Sequence, residues 1–403
     1  MSEENDEMSA LVPRLRFPEF QGDPWEAKPL EQVAPLQRGF DLPSSELQPG
    51  DIPVVYSNGV QSFHCTAMAK APGLVTGRSG TIGKLNFIEK GEYWPHNTSL
   101  WVTSFKGNVP KFVYFLFNSI GMERFASGSG VPTLNRNDVH AFVSAVPKSL
   151  AEQEQIADCL SSLDELITAE SQKLDALKTH KKGLMRQLFP REGETVPRLR
   201  FPEFREAGEW EQTALGLITR FQSGGTPSKA NPAYWNGSIP WVSAKDMKTL
   251  FLDDTEDHIT TTSVENGAKL VGPGSLLILT RGMTLLKDIP ICVLNRRMSF
   301  NQDVKALLVK GDTDGRFLAY LLLGNKERLL GLVDIAGHGT GRLDTDELKS
   351  FELTLPQRSE QQRIADCLSS LDDLITAQSQ KIDALKIHKK GLMQQLFPVL
   401  DAA

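Results

Sequence analysis

The chain has 403 residues, 40% of them hydrophobic, and a formal net charge of −6. That is an ordinary globular balance, long enough for two or three domains, and no apolar run approaches the ~18 residues of a membrane-spanning helix. The net acidity excludes a simply basic nucleic-acid binder. The four cysteines, Cys65, Cys159, Cys292 and Cys367, form no C-x-x-C pair, so no metal site is expected and a reduced, cytoplasmic protein without membrane association is.

Residues 1–19 form an N-terminal segment. It opens MSEENDEMSA, where Glu3, Glu4, Asp6 and Glu7 rule out the chemistry of a secretory leader. The stretch VPRLRFPEF follows from Val12 to Phe20 and recurs letter for letter from Val196 to Phe204. Residues 20–148 make a first block. Runs such as DIPVVYSNGVQSF, GLVTGRSGTIGKLNFI and SLWVTSF read as strands between tight turns, and PKFVYFLFNSIGMERFA reads as a helix.

Residues 149–190 read as one long helix, 191–204 as a linker, 205–357 as a second block and 358–398 as a second long helix. Within the second block SIPWVSAKDM, GSLLILTRG and VKALLVKG read as strands, and GRFLAYLLLGNKERLLGLV as helix. The long helices are near copies. IADCLSSLDELITAESQKLDALKTHKKGLMRQLFP from Ile156 answers IADCLSSLDDLITAQSQKIDALKIHKKGLMQQLFP from Ile364. The chain is therefore a tandem duplication of a domain-sized plan, a variable block followed by a near-constant helix.

In the first helix Leu160, Leu163, Ile167, Glu170, Leu174, Leu177, Lys181 and Leu184 advance in alternating threes and fours, continuing to Leu188. In the second, Leu368, Leu371, Ile375, Gln378, Ile382, Leu385, Lys389 and Leu392 do the same. A 3.5-residue period held this long is a coiled-coil seam. Ser149 and Ser359 are the expected N-caps, and each helix should run about 37 residues, roughly 55 Å. A parallel pairing would set Lys181 against Lys389. An antiparallel one brings Glu170 toward Lys389 and Lys181 toward Gln378, and is preferred. Cys159 and Cys367 are repeat mates expected as small buried hydrophobes, and His180 and His388 are mates on a solvated face.

The blocks share a faint skeleton. GDIPVVY answers GSIPWVS, LVTGRSGTIGKLNFI answers LLILTRGMTLLKDIPI, and SGSGVPTLNRNDVHAFVSAVP answers AGHGTGRLDTDELKSFELTLP. The differences fall in glycine-rich loops that carry hydroxyl and basic groups. Glycines let backbone amides approach phosphates, and basic groups can then contact backbone or guanine edges. The candidates in the first block are Arg78, Ser79, Thr81 and Lys84, then Ser129, Thr133, Asn135 and Arg136. In the second they are Gly225, Thr226, Ser228, Lys229 and Lys245, then Arg281, Thr284 and Lys287, then His338, Thr340 and Arg342.

No catalytic constellation emerges. The chain has no G-x-x-x-x-G-K-[ST] loop, no G-x-S-x-G elbow and no H-E-x-x-H. NPAYWNG from Asn231 resembles the N-P-P-Y signature of adenine-N6 methyltransferases. Its third position is Ala233 and no cofactor loop lies near, so a turn before a strand is the expectation.

The whole order of block, helix, block, helix resembles the specificity (S) subunit of type I restriction-modification enzymes. SGGTPSKANPAYWNGSIPWVSAKDM, EQQRIADCLSSLDDLI and the KKGLMRQLFP and KKGLMQQLFP helix ends carry the resemblance, which covers nearly the full chain. It implies an α+β fold of two globular target-recognition domains separated by two long antiparallel coiled-coil helices in a pseudo-two-fold tandem repeat. It implies no catalysis by this chain and no cofactor bound to it. The implied partners are double-stranded DNA, two modification (methyltransferase) subunits and two restriction (translocase and nuclease) subunits, with S-adenosylmethionine, ATP and Mg2+ on those partners. The first block departs from the pattern, with RGFDLPSSE where the second has GGTPS. Two other readings stay open: a stand-alone adenine methyltransferase using Asn231 and Tyr234, and a coiled-coil scaffold with no DNA role.

Overall fold

The computed structural model describes residues 11–22, 25–128, 132–335 and 339–398. The chain divides into two units through the middle of both long helices. The first holds the residues up to Gln172 and those from Ser379 on; the second is Lys173–Gln378.

The first unit carries strands β1 (Trp25–Pro29), β2 (Leu36–Arg38), β3 (Ile52–Tyr56), β4 (Gly59–His64), β5 (Ala69–Lys70), β6 (Gly73–Gly77), β7 (Leu85–Ile88), β8 (Glu92–Pro95), β9 (Ser99–Val102), β10 (Ala126–Ser127), β11 (Thr133–Leu134) and β12 (Val143–Pro147). Its short helices are α1 (Leu30–Val33), α2 (Pro110–Ile120) and α3 (Arg136–Ala141), and α4 (Leu150–Leu188) begins in it. The sheets run β2-β9-β6-β7 and β4-β3-β8-β5, with β1 on β12 and β10 on β11. Helix α2 has proline at its first turn, where a missing amide costs nothing. It buries Phe112, Val113, Phe115, Leu116 and Phe117 and stops at Gly121, whose φ of 74° suits glycine.

The second unit carries β13 (Glu211–Ala214), β14 (Thr219–Ser223), β15 (Trp235–Val242), β16 (Phe251–Leu252), β17 (His258–Ile259), β18 (Leu270–Val271), β19 (Leu276–Leu279), β20 (Arg281–Gly282), β21 (Ile291–Leu294), β22 (Met298–Phe300), β23 (Val304–Val309), β24 (Val333–Ile335), β25 (Gly341–Leu343) and β26 (Glu352–Leu355). Its helices are α5 (Leu215–Ile218), α6 (Thr261–Glu265), α7 (Gly315–Gly324), α8 (Lys326–Leu330), α9 (Thr345–Ser350) and the start of α10 (Arg358–Leu396). The sheets run β14-β23-β19-β21-β16 and β17-β15-β22-β18, with β13 on β26 and β20-β25-β24 apart. Sheet for sheet this repeats the plan of the first unit. The one parallel pair at the centre of the four-stranded sheet, β3 with β8, returns as β15 with β22. Edge strands β16 and β20 are additions; where β20 pairs β25, the first unit has only an isolated bridge between Ser79 and Thr133. NPAYWNG is a 3-10 turn, Pro232–Tyr234, leading into β15, and Asn231 Oδ1 accepts the Ala233 amide at 3.1 Å.

Each unit closes its core with one end of each long helix. The first packs Leu74, Phe112 and Phe115 with Ile156 and Leu160 of α4 and with Leu396 and Phe397. The second packs Leu276, Leu277 and Phe317 with Leu188 and Phe189 and with Ile364 and Leu368 of α10. Each such side chain contributes about 1.5–3 kcal/mol when fully buried.

The repeated nonapeptide is a clamp on these ends. In the first unit Arg16 grips Glu152 at the start of α4 with two contacts, 2.7 and 2.8 Å, while the Leu15 amide donates to the Gln395 carbonyl near the end of α10. In the second unit Arg200 grips Glu360 at the start of α10 at 2.8 and 2.7 Å, and the Leu199 amide donates to Gln187 near the end of α4. Glu152 and Glu360 are each 1% exposed.

Within each unit the helix ends run antiparallel, but the polar register differs from expectation. Lys389 binds Asp164 at 2.6 Å and Lys381 binds Glu170 in the first unit; Lys181 binds Asp372 at 2.6 Å in the second. These pairs replace the expected oppositions of Glu170 to Lys389 and of Lys181 to Gln378. The cause is that a seam lysine takes a full carboxylate when one stands on the flank, and Asp164 and Asp372 stand one residue past Leu163 and Leu371. The remaining seam residues Leu160, Leu163, Ile167, Leu174, Leu177, Leu184, Leu368, Leu371, Ile375, Ile382, Leu385 and Leu392 are buried or half-buried.

The second cap also differs. Ser149 accepts the Glu152 amide at 3.4 Å. Ser359, however, lies inside the first turn of α10, because Gln357 holds the place of Ser149 and its carbonyl receives the Glu360 and Gln361 amides. Cys159 and Cys367 are half-buried rather than buried, and burial raises both thiols.

Candidate nucleic-acid interface

In the first unit the turn from β6 to β7 is forced by glycine. A side chain at Gly77 would come within 1.8 Å of the Thr81 carbonyl, and Gly83, at φ 75°, faces the Glu123 amide. The loop is then tied to three neighbours. Arg78 and Ser79 both donate their amides to the Thr98 carbonyl at 2.9 and 3.2 Å. Leu134 donates to the Arg78 carbonyl at 2.8 Å, and Ser79 bridges Thr133. Lys84 Nζ donates to the Asn58 carbonyl at 2.6 Å. Arg78, Ser79, Thr81, Lys84 and Thr133 thus share one surface, with Asn135 and Arg136 directly after β11.

Asn135 has a structural task as well: its Oδ1 accepts the Asn137 amide at 3.0 Å and caps α3. Arg78 and Arg136 have no carboxylate partner among the described residues. The sequence reading overlooked Asn58, His96 and Thr98, which close the same surface. His96 stacks on Tyr56 at 4.1 Å between centroids and shares a hydrogen bond with Thr98 Oγ1 at 3.0 Å. Burial holds its imidazole below the usual histidine range. Only its place after the strand-ending Pro95 could have flagged it.

In the second unit β20 and β25 place Arg281 directly opposite Arg342, and Asp334 stands opposite Arg342 on its other side. Like charges in register repel. Arg342 is relieved by Asp344 at 3.1 Å, while Arg281 has no carboxylate partner among the described residues. Asp344 caps α9, and the Asp346 and Glu347 amides, then Arg342, hold its carboxyl below the usual carboxylate range.

The β14 end joins this surface. Gly225 donates to Phe300, Thr226 binds Gln302, and Asp303 accepts the Thr280 amide beside Arg281. Gln302, Lys305 and Ser223 were overlooked; Lys305 Nζ donates to Ser223 at 2.6 Å. Thr284 and Lys287 are exposed on the turn after Arg281, and Thr340 is half-buried. Ser228 gives its carbonyl to Trp235 Nε1 at 3.1 Å, and Lys229 is exposed. Lys245 is spoken for: Glu256 at 2.8 Å and Asp257 at 3.0 Å neutralise it and raise its pKa. Ser129 and His338 lie outside the described residues.

Each unit therefore presents a cationic, hydroxyl-bearing face at the same place on one framework, with different residues. No group of three or more His, Cys, Asp or Glu side chains that could hold a metal occurs among the described residues, and no helix described is long and apolar enough to cross a membrane.

The family model of the type I restriction modification DNA specificity domain matches residues 22–179 and again 207–386. The chain belongs to that family. Like the structural division, this type I specificity family match is double, each copy taking one block and most of the helix after it. The chain is 30% identical over 271 residues to the EcoR124I/EcoR124II type I restriction enzyme specificity subunit of Escherichia coli, covering 66% of this chain and 63% of that protein. It thus spans a little under two thirds of that relative. It is 28% identical over 182 residues to the MjaIX specificity subunit of Methanocaldococcus jannaschii, covering 44% and 41%. The fold is that of the S subunit from M. genitalium, with a TM-score of 0.63 at 15% identity over 97% of this chain and all of that one. A chain from a structure on complex assembly and conformational transition of the type I R-M system gives 0.57 at 15% identity, covering 92% and 97%.

Proposed function

We propose that the chain is the non-catalytic, sequence-reading subunit of a type I restriction-modification assembly in the cytoplasm. Each recognition block reads one half of a bipartite, asymmetric site in double-stranded DNA, and the antiparallel helices set the gap between halves. Two adenine-methyltransferase subunits bind S-adenosylmethionine, and two restriction subunits bind ATP and Mg2+. The observation that carries this reading is one framework built twice with different cationic loops at matched places. Duplicated framework gives two equivalent docking geometries to identical partners, and divergent loops give two different half-sites.

The test is methylation mapping of DNA from cells expressing the chain with its methyltransferase. A two-part motif with a fixed gap is expected. Adenine methylation by the purified chain alone would overturn the proposal. So would the absence of any duplex shift with the methyltransferase present, which is the mark of a scaffold.

The two faces should act separately. Arg281→Ala should weaken binding by about 1–3 kcal/mol, roughly 5- to 150-fold, and relax one half-site only. Arg78→Ala should affect the other half alone. Loss of readout at both halves from either change, seen by methylation mapping and by filter binding to half-site variants, would mean joint reading.

A further inference from the structure

Each unit holds a groove of the same construction at the end of a long helix. In the second unit the last turns of α4 present Lys178, Lys182 and Met185 toward the α7–α8 junction. In the first unit the last turns of α10 present the repeat mates Lys386, Lys390 and Met393 toward α2 and the stretch Phe142–Ser144. The grooves differ in what enters them from the chain itself. In the second, the residues just ahead of the nonapeptide line the groove, and Glu192 lies 3.5 Å from Arg328. In the first repeat, the residues that precede the nonapeptide in sequence include 1–10, which carry Glu3, Glu4, Asp6 and Glu7 and no basic side chain.

The described chain starts beside that first groove. Leu11 packs on the cluster containing Leu396 and Phe397, of which Phe397 lines the groove, and the Leu15 amide donates to the Gln395 carbonyl at 3.0 Å. Lys386, Lys390 and Arg124 line the groove, are exposed, and have no carboxylate partner among the described residues. Ten residues reach up to about 33 Å, enough to follow the groove, and a tether of that length holds the acids near the lysines at millimolar effective concentration.

We propose that the acidic N-terminal segment of this chain docks in the lysine-lined groove of the first unit. The contact is ionic and exposed, so salt screens it. Where two identical partners dock, which rests on the function proposed above, they then meet one groove already occupied and one open to them.

The test is amine acetylation followed by mass spectrometry on the full chain and on a chain starting at Leu11. Removing the segment should speed labelling of Lys386 and Lys390 about threefold or more and leave Lys178 and Lys182 unchanged; about 0.5 M salt should have the same effect on the full chain. The full-length variant Glu3→Gln, Glu4→Gln, Asp6→Asn, Glu7→Gln should behave as the truncation does, which separates charge from any loss of folding. Unchanged rates at Lys386 and Lys390 in that variant would overturn the proposal, as would an equal rise at all four lysines. Protection that grew with protein concentration would place the segment on another copy and overturn it too. The measurement needs neither DNA nor methyltransferase, so its outcome is independent of the recognition function.

Discussion

Arg200→Ala should destabilise the second unit by about 3–5 kcal/mol, the range for removing one member of a buried ion pair. The reason is the carboxylate left behind. Glu360 is 1% exposed and, among the described residues, Arg200 is its one side-chain donor, at 2.8 and 2.7 Å. Arg200 also donates to the Ala207 carbonyl at 2.6 Å, so a turn loosens with it. The mate substitution, Arg16→Ala, should cost less by roughly 1 kcal/mol, the worth of one retained hydrogen bond, because Glu152 keeps the Trp25 indole donor at 3.0 Å. Urea denaturation of the two variants checks both size and order. Replacing both partners, Arg200→Met with Glu360→Leu, should recover most of the loss, since a buried pair exchanged for apolar groups is often near neutral. Equal losses for Arg16→Ala and Arg200→Ala would show that the indole contact contributes nothing.

Asp372→Ala should cost about 2–4 kcal/mol, and its mate Asp164→Ala clearly less. Asp372 holds two donors at once. Lys181 reaches it at 2.6 and 2.7 Å, and the Tyr320 hydroxyl donates to it at 2.6 Å. Tyr320 is fully buried, and burial first, then the Asp372 carboxylate, raises its phenol far above its ordinary pKa. Alanine at position 372 leaves a seam lysine without its carboxylate and leaves the buried hydroxyl only the longer contact to Ser369 Oγ, at 3.4 Å. At the matching place in the first unit Lys389 binds Asp164 and lies 5.2 Å over the ring of Phe115, which has no hydroxyl to strand. Tyr320→Phe in the Asp372→Ala background should therefore restore part of the loss. Hydrogen exchange across Leu177–Met185 and Leu368–Ile375 reads the effect locally. Equal protection in the two aspartate variants would sink the account.

What was legible in the sequence follows from range. The 3.5-residue period of Leu160 to Leu184 is a local pattern, and those positions are the covered ones. The paired skeletons were legible because both copies sit in one chain, so GDIPVVY and GSIPWVS could be laid together and prove to be matching central strands. Contacts between distant residues were not legible. Lys245 looked like a free cation because Glu256 and Asp257 come from beyond the next strand. Asp164 drew no notice because it lies on the flank of the seam, and only the other long helix supplies Lys389. The nonapeptide announced its importance by repetition, yet nothing local says that Arg16 and Arg200 reach across 136 and 160 residues to Glu152 and Glu360.

The division of the chain also fixes an order of assembly during translation. The second unit, Lys173–Gln378, is continuous, so every residue of its core has been synthesised before the last stretch is made. The first unit is begun early and completed late. Its core lacks Leu396 and Phe397, and Leu15 lacks Gln395, until residues from Ser379 on emerge. At about 5–20 residues per second, the first-made block waits many seconds with the floor of its core open, while the block made after it can close at once. Chains ending at Gln378 and released from the ribosome should thus hold a protease-resistant second block beside a first block that is still cleaved.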